Sequence, residues 1–112
     1  MSFTAVQMVI GTDAPSSEAS QYACPTNSAA IVRHAVFTNH TAGAVTLTVY
    51  VVPNGGSAAA ANKVLDAYSI AAHTAYTSPE LSGVVLTAGD SIHTLASAGT
   101  SIGQNISGIL QT

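Results

Sequence analysis

Apolar and polar positions alternate with period two along several segments, and no stretch has the i, i+3, i+4 spacing of a long amphipathic helix, which predicts an all-β protein. The clearest segment is 45–52, where Val45, Leu47, Val49 and Val51 fall on one face of an extended chain and Thr46, Thr48 and Tyr50 on the other. Such a strand is half buried. Ala29 to Thr38 is β-branched and aromatic, and the turn residues Asn39 to Gly43 follow it, so the two segments are expected to pair as a hairpin. Ile31 and Phe37 lie on the opposite face from Val32 and Val36, which leaves the register open and implies cover on both faces.

Further strands are expected over Phe3–Ile10, Lys63–Ala71, Thr74–Leu81 with an interruption near Pro79, Ser91–Ala96, and a last segment that places Ile102, Ile106 and Leu110 on one face. Gly11 to Ser20 reads as a polar loop, Pro53 to Ser57 as an exposed turn, Ala58 to Ala61 as a single helical turn, and Leu86 to Asp90 as a turn. The pattern predicts one antiparallel β-sandwich of about eight short strands, jelly-roll or immunoglobulin-like, favoured over a barrel. No internal repeat or second domain is visible, so residues 1–112 are read as one domain.

Charge is the anomaly of the composition. Charged residues are 6% of the chain, against a usual share of about 25%, and two basic against five acidic residues leave a formal charge of −3. With only Arg33 and Lys63 as cations, direct nucleic-acid binding is not expected, because such affinity rests on neutralising several phosphates. Apolar runs are too short for a bilayer span, no basic amphipathic face suits a membrane surface, and Met8-Val9-Ile10 is too short for the apolar core of a signal peptide. The expectation is synthesis in a cytoplasm without membrane attachment. Cys24 is the single cysteine, so packing rather than a disulfide must hold the fold.

A resemblance runs through Tyr22, Cys24-Pro25, Ala30-Ile31-Val32, Thr38-Asn39, the valine-rich run from Thr46 to Pro53, Gly55-Gly56, Asn62 to Leu65, and Leu86 to Ile92 with its Gly89-Asp90 turn. In this order the pieces resemble small β-sandwich virion proteins of tailed bacteriophages. The resemblance implies a non-enzymatic particle component. Its expected place is the virion, assembled in the host bacterial cytoplasm, and its expected partners are the major capsid protein or other virion proteins. Decoration or cementing of the capsid is the leading reading; attachment to tail, baseplate or fibre is the alternative, and a carbohydrate-binding module is the alternative from another class. Met1 to Ser20 and the residues after Ile106 lie outside the resemblance.

Charge scarcity supports contact with neighbours. A folded surface of roughly 5,700 Å² for this mass leaves about one formal charge per 800 Å², comparable to one partner's share of a standard interface. Sheet edges are normally guarded by lysine, proline or bulges, and few such residues are available here. Residues 1–20 are therefore a candidate docking or strand-exchange arm, with Val6, Met8 and Ile10 as interface residues and homo-oligomerisation as the expected outcome; the alternative is an ordinary strand of its own sheet.

No motif for catalysis has its required context, and no enzyme activity, cofactor or metal is expected. Gly99-Thr100-Ser101-Ile102-Gly103 matches a nucleophile elbow, but no acid or histidine follows Ser101. Gly89-Asp90-Ser91 is similar to an esterase signature and reads more simply as a turn. His34, His40, His73 and His93 lack metal-ligand spacing, while His34 beside Arg33 is the candidate for a pH-sensitive contact. Cys24 reads as a small buried hydrophobe rather than a reactive thiol. Asp66 and Glu80 are a candidate carboxylate pair, with separate solvated acids as the simpler reading. Tyr22, Tyr50, Tyr68 and Tyr76 are candidates for a sugar platform against core or interface packing.

Overall fold

A computed structural model describes residues 2–112 and shows an antiparallel β-sandwich of nine strands. They are β1 (Phe3–Asp13), β2 (Ala19–Ala23), β3 (Ala29–Asn39), β4 (Val45–Val52), β5 (Lys63–Ile70), β6 (Ala75–Thr77), β7 (Val85–Thr87), β8 (Ser91–Ala96) and β9 (Ile102–Gln111). One sheet, here sheet A, has the order β1-β9-β3-β6 with β7 also paired to β3; the other, sheet B, has the order β2-β8-β4-β5. The chain is thus a long hairpin whose arms pair β1 with β9, β2 with β8, β3 with β6 and β7, and β4 with β5. Rolled up so that β9 also meets β3 and β8 meets β4, this is the jelly-roll topology rather than the immunoglobulin one.

The hairpin expected between β3 and β4 does not form. Asn39 to Gly43 carry the chain from one sheet to the other, so β3 and β4 pair with different partners. Asn39 is fully buried there: its Nδ2 donates to the Gly43 and Ile70 carbonyls at 2.8 and 3.0 Å, and its Oδ1 accepts from the Thr41 N–H and hydroxyl at 3.0 and 2.7 Å. This amide satisfies the backbone of the crossover and the end of β5 together. Other segments also differ from the reading by pattern. Gly11–Asp13 and Ala19–Ser20 lie in strands where a polar loop was expected, and Leu86–Thr87 in a strand where a turn was expected, because pairing with β9, β8 and β3 decides their conformation. Residues expected as a strand over Thr74–Leu81 supply only Ala75–Thr77, and the helical turn falls at Ala60–Asn62.

Inward residues of both sheets interdigitate in one core: Val32, Phe37, Ile102 and Ile106 from sheet A meet Leu47, Val49, Leu65 and Ile92 from sheet B, with Leu81, Leu86 and Cys24 closing the ends. Within it Thr94 Oγ1 donates to Gln104 Oε1 at 2.8 Å, and Gln104 Nε2 donates to Gln21 Oε1 at 2.9 Å, so the buried amide bridges the sheets without an unmet group. The Cys24 thiol is buried, and burial pushes its pKa up with the Asp90 charge adding to the effect, which fits its reading as a small hydrophobe.

A bulge resolves the register question in β3. Val32 opposes Gly108 and His34 opposes Ser107, so Arg33 is the extra residue and the inward set changes phase from Ala30 and Val32 to Ala35, Phe37 and Asn39. On the other side of β9, Gln7 opposes Ser107 and Val9 opposes Ile106, which makes Met8 an extra residue at the same level. Both strands crowd Gly108: a Cβ added there would lie 2.1 Å from the Ile31 carbonyl oxygen and 2.9 Å from Met8 Cε.

Three titrating side chains tie loops to the sandwich. Backbone N–H donors of Thr87 and Asn54 and the Thr87 hydroxyl hold the Asp90 carboxyl below its ordinary range, and the Tyr76 hydroxyl chiefly does so for Glu80. Desolvation, then the hydrogen bond to Glu80, pushes Tyr76 up to about 12. A depressed carboxyl pKa stabilises the fold above its unfolded value and loses that contribution as pH falls through the folded one; a raised tyrosine loses its contribution as pH rises from the unfolded to the folded value. The denaturant midpoint should therefore decline below pH 4.5 and again above pH 10.0, the ordinary values of Glu80 and Tyr76. Asp90→Asn should flatten part of the acid limb, and an unchanged limb would remove Asp90 from this account.

Candidate interaction surface

Residues of sheet A that point away from the core form rows across the strands. Ala5 opposes Ile109, Ile109 opposes Ile31, and Ile31 opposes Val85, so one row of apolar side chains crosses β1, β9, β3 and β7. Phe3, in the next row towards the end of the sheet, opposes Gln111. Phe3 and Val85 are 66% and 59% exposed. The following row is polar: Gln7 and Ser107 oppose each other, and the bulge places Arg33 and His34 beside them.

Between these rows the two bulges open a shallow groove of about 670 Å³ lined by Ala5, Val6, Gln7, Arg33, Ser107 and Gly108. A smaller hollow of about 190 Å³ adjoins it through Gln7 and Ser107 and adds Ile10, His34 and Asn105. His34, the candidate for a pH-sensitive contact, is thus exposed beside the groove.

Segment 1–20 supplies β1 and the start of β2, so in the single chain it is part of the sandwich rather than a detached arm; Met1 lies outside the described residues. The bulge at Met8 also divides the three candidate interface residues. Val6 and Met8 pack against or within the core, whereas Ile10 is 59% exposed on the outer side, so they share no docking face. What β1 does present is an edge. It pairs with β9 alone in its sheet, and its first half, Phe3–Gln7, is regular and uncharged, with none of the guards that block strand addition. The edge strand β5, by comparison, carries Lys63, Asp66 and a bulge with Ala67 at φ 46°.

Other sequence candidates fall elsewhere. His40 Nε2 pairs with Asp13 Oδ1 at 2.8 Å and His93 Nδ1 with Glu18 Oε2, which fastens both ends of the β1–β2 connection. His93 Nε2 also lies 2.9 Å from Ser91 Oγ, an order of groups that sequence spacing did not disclose because Glu18 is distant in the chain. β8 is an interior strand with neighbours on both sides, Ala23 and Val52 opposing Ser91. Ser101 is buried and donates to the Ala98 carbonyl within the β8–β9 turn. Asp66 pairs with Lys63, and Glu80 accepts from the Tyr76 hydroxyl. Among the described residues no group of three or more His, Cys, Asp or Glu is placed to hold a metal ion, and no helix is long and apolar enough to cross a membrane.

The tyrosines are spread over both sheets: Tyr22 and Tyr76 pack against the core, Tyr50 opposes Lys63 and His93, and Tyr68 lies against Tyr76 with ring centroids 4.3 Å apart. Tyr22 Oη is buried without a partner among the described residues, and burial pushes its pKa up. Removing an unmet buried hydroxyl recovers its desolvation cost, so Tyr22→Phe should raise stability by about 1 kcal/mol. A lower denaturation midpoint for that variant would show that the hydroxyl is satisfied.

No protein-family model matches the chain, and no curated protein does. Among solved structures, it is similar to a chain in the structure of infectious bursal disease virus, Gx strain, with a TM-score of 0.54 and 16% identity. The match covers 97% of this chain and 30% of that one, and at this identity the likeness is one of fold.

Proposed function

We propose that this jelly roll is a structural protein of a tailed-phage virion that decorates or cements the capsid by bridging major capsid subunits, without enzymatic activity. The observation that carries the reading is the joint exposure of an unguarded β1 edge and the apolar row Ala5, Ile109, Ile31 and Val85 on the same sheet. A neighbouring strand added to Phe3–Gln7 satisfies that edge, while the row docks on an apolar surface. Contacts of this kind are weak singly and strong when many copies engage a repeated lattice. Sparse charge, the resemblance to phage virion proteins and the likeness in fold to a chain from a virus particle support the same reading.

Imaging purified particles with and without the protein tests it. Density lost from the shell is the expected result. Loss from the tail, baseplate or fibre would overturn the capsid position in favour of the alternative attachment, and loss from neither would remove the virion reading.

A further inference from the structure

Charge pairing across the described residues leaves one group over. Asp13 and Glu18 are paired with His40 and His93, and Asp66 with Lys63. Glu80 accepts from the Tyr76 and Ser78 hydroxyls, and Asp90 from the Asn54 and Thr87 N–H groups. All five carboxylates are therefore engaged, and of the two cations only Arg33 has neither an ion pair nor a side-chain hydrogen bond among the described residues. In a chain with so few charges, this guanidinium stands at the β3 bulge and lines the larger groove on sheet A.

The lining defines the chemistry that fits. Arg33 presents a fork of N–H donors that matches a carboxylate in two parallel hydrogen bonds. A single fixed positive charge suits one carboxylate better than a phosphate. Around it stand the Gln7 amide and the Ser107 hydroxyl, with the Asn105 amide in the adjoining hollow. The Gly11 N–H donates to Asn105 Oδ1 at 3.1 Å, which fixes that amide and leaves its NH₂ as a donor. Amides and hydroxyls that both donate and accept match the vicinal hydroxyls of a sugar, while Ala5 and Ile10 offer apolar contact to its C–H face. The groove's volume, about 670 Å³, falls within the usual range for small-ligand sites.

We propose that the Arg33 groove binds an acidic sugar, a hexuronate unit whose carboxylate rests on the Arg33 guanidinium and whose hydroxyls meet Gln7, Ser107 and Asn105. The site does not depend on the particle-docking reading, since it requires only the free chain.

Titration of the ¹⁵N-labelled protein with sodium D-glucuronate, D-glucose and sodium acetate tests this by amide chemical shifts. Glucuronate should move the resonances of Gln7, Arg33, Ser107 and Asn105 and bind more tightly than either control. Arg33→Gln should weaken glucuronate by about tenfold or more while leaving glucose unchanged, and Arg33→Lys should recover only part of the loss. Lys63→Gln removes the same charge away from the groove and should change nothing. Equal response to glucuronate and acetate would overturn the sugar; equal response to glucuronate and glucose, or no loss in Arg33→Gln, would overturn the role of Arg33; no shift at tens of millimolar would overturn the site.

Discussion

Gly108→Ala should destabilise the fold by about 3 kcal/mol or more, the upper end of the cost of overpacking. The added methyl would sit 2.1 Å from the Ile31 carbonyl oxygen, and this obstacle is backbone held in the β3–β9 ladder rather than a flexible side chain. Met8 Cε can turn aside; the carbonyl moves only if β9 separates from β3 where both neighbouring strands bulge. For a chain of this size each kcal/mol lowers the thermal midpoint by about 4 °C. A drop exceeding 10 °C is the expected order, and a midpoint within a degree or two of the parent would mean the strands are not this close.

Asn39→Asp should have an effect of similar size, about 3 to 5 kcal/mol at neutral pH. Asn39 donates to two carbonyls from a fully buried position, and an ionised carboxylate there would face both without a proton to offer. The variant's carboxyl pKa should be raised in the folded state. By linkage its relative stability is greatest below the unfolded aspartate value and is lost as pH rises through the folded one. Asn39→Ala, which orphans the same carbonyls without adding a charge, should be destabilised without that pH dependence. Comparing the two variants by urea unfolding across acid pH separates them; parallel curves would contradict the buried donor role.

Strand existence was largely legible in the pattern because alternation declares a strand, as it does over Val45–Val52, although both faces of that strand are covered and Thr48 and Val52 are buried with the expected inward set. Topology was not, because turn residues such as Asn39 to Gly43 look alike whether the chain reverses within a sheet or crosses to the other. The candidate surface was hidden for a related reason. Ile31 is visibly out of phase with Val36, but only the bulge at Arg33 and the alignment with Val85 and Ile109 reveal a row across four strands. Strand β1 was recognisable as a strand, whereas the bulge that separates Ile10 from Val6 and Met8 leaves no mark in the alternation of a short apolar run. The isolation of Arg33 likewise needs the partners of all five acids, which are distant in sequence for Asp13, Glu18 and Asp90.

Amide hydrogen exchange on the free chain and on the chain bound to its particle tests most directly whether neighbours cover the margin of sheet A. Fast exchange of the outward amides of Phe3–Gln7 in the free chain, with marked slowing on the particle, is the result this account predicts. Identical exchange of those amides in both states would contradict it.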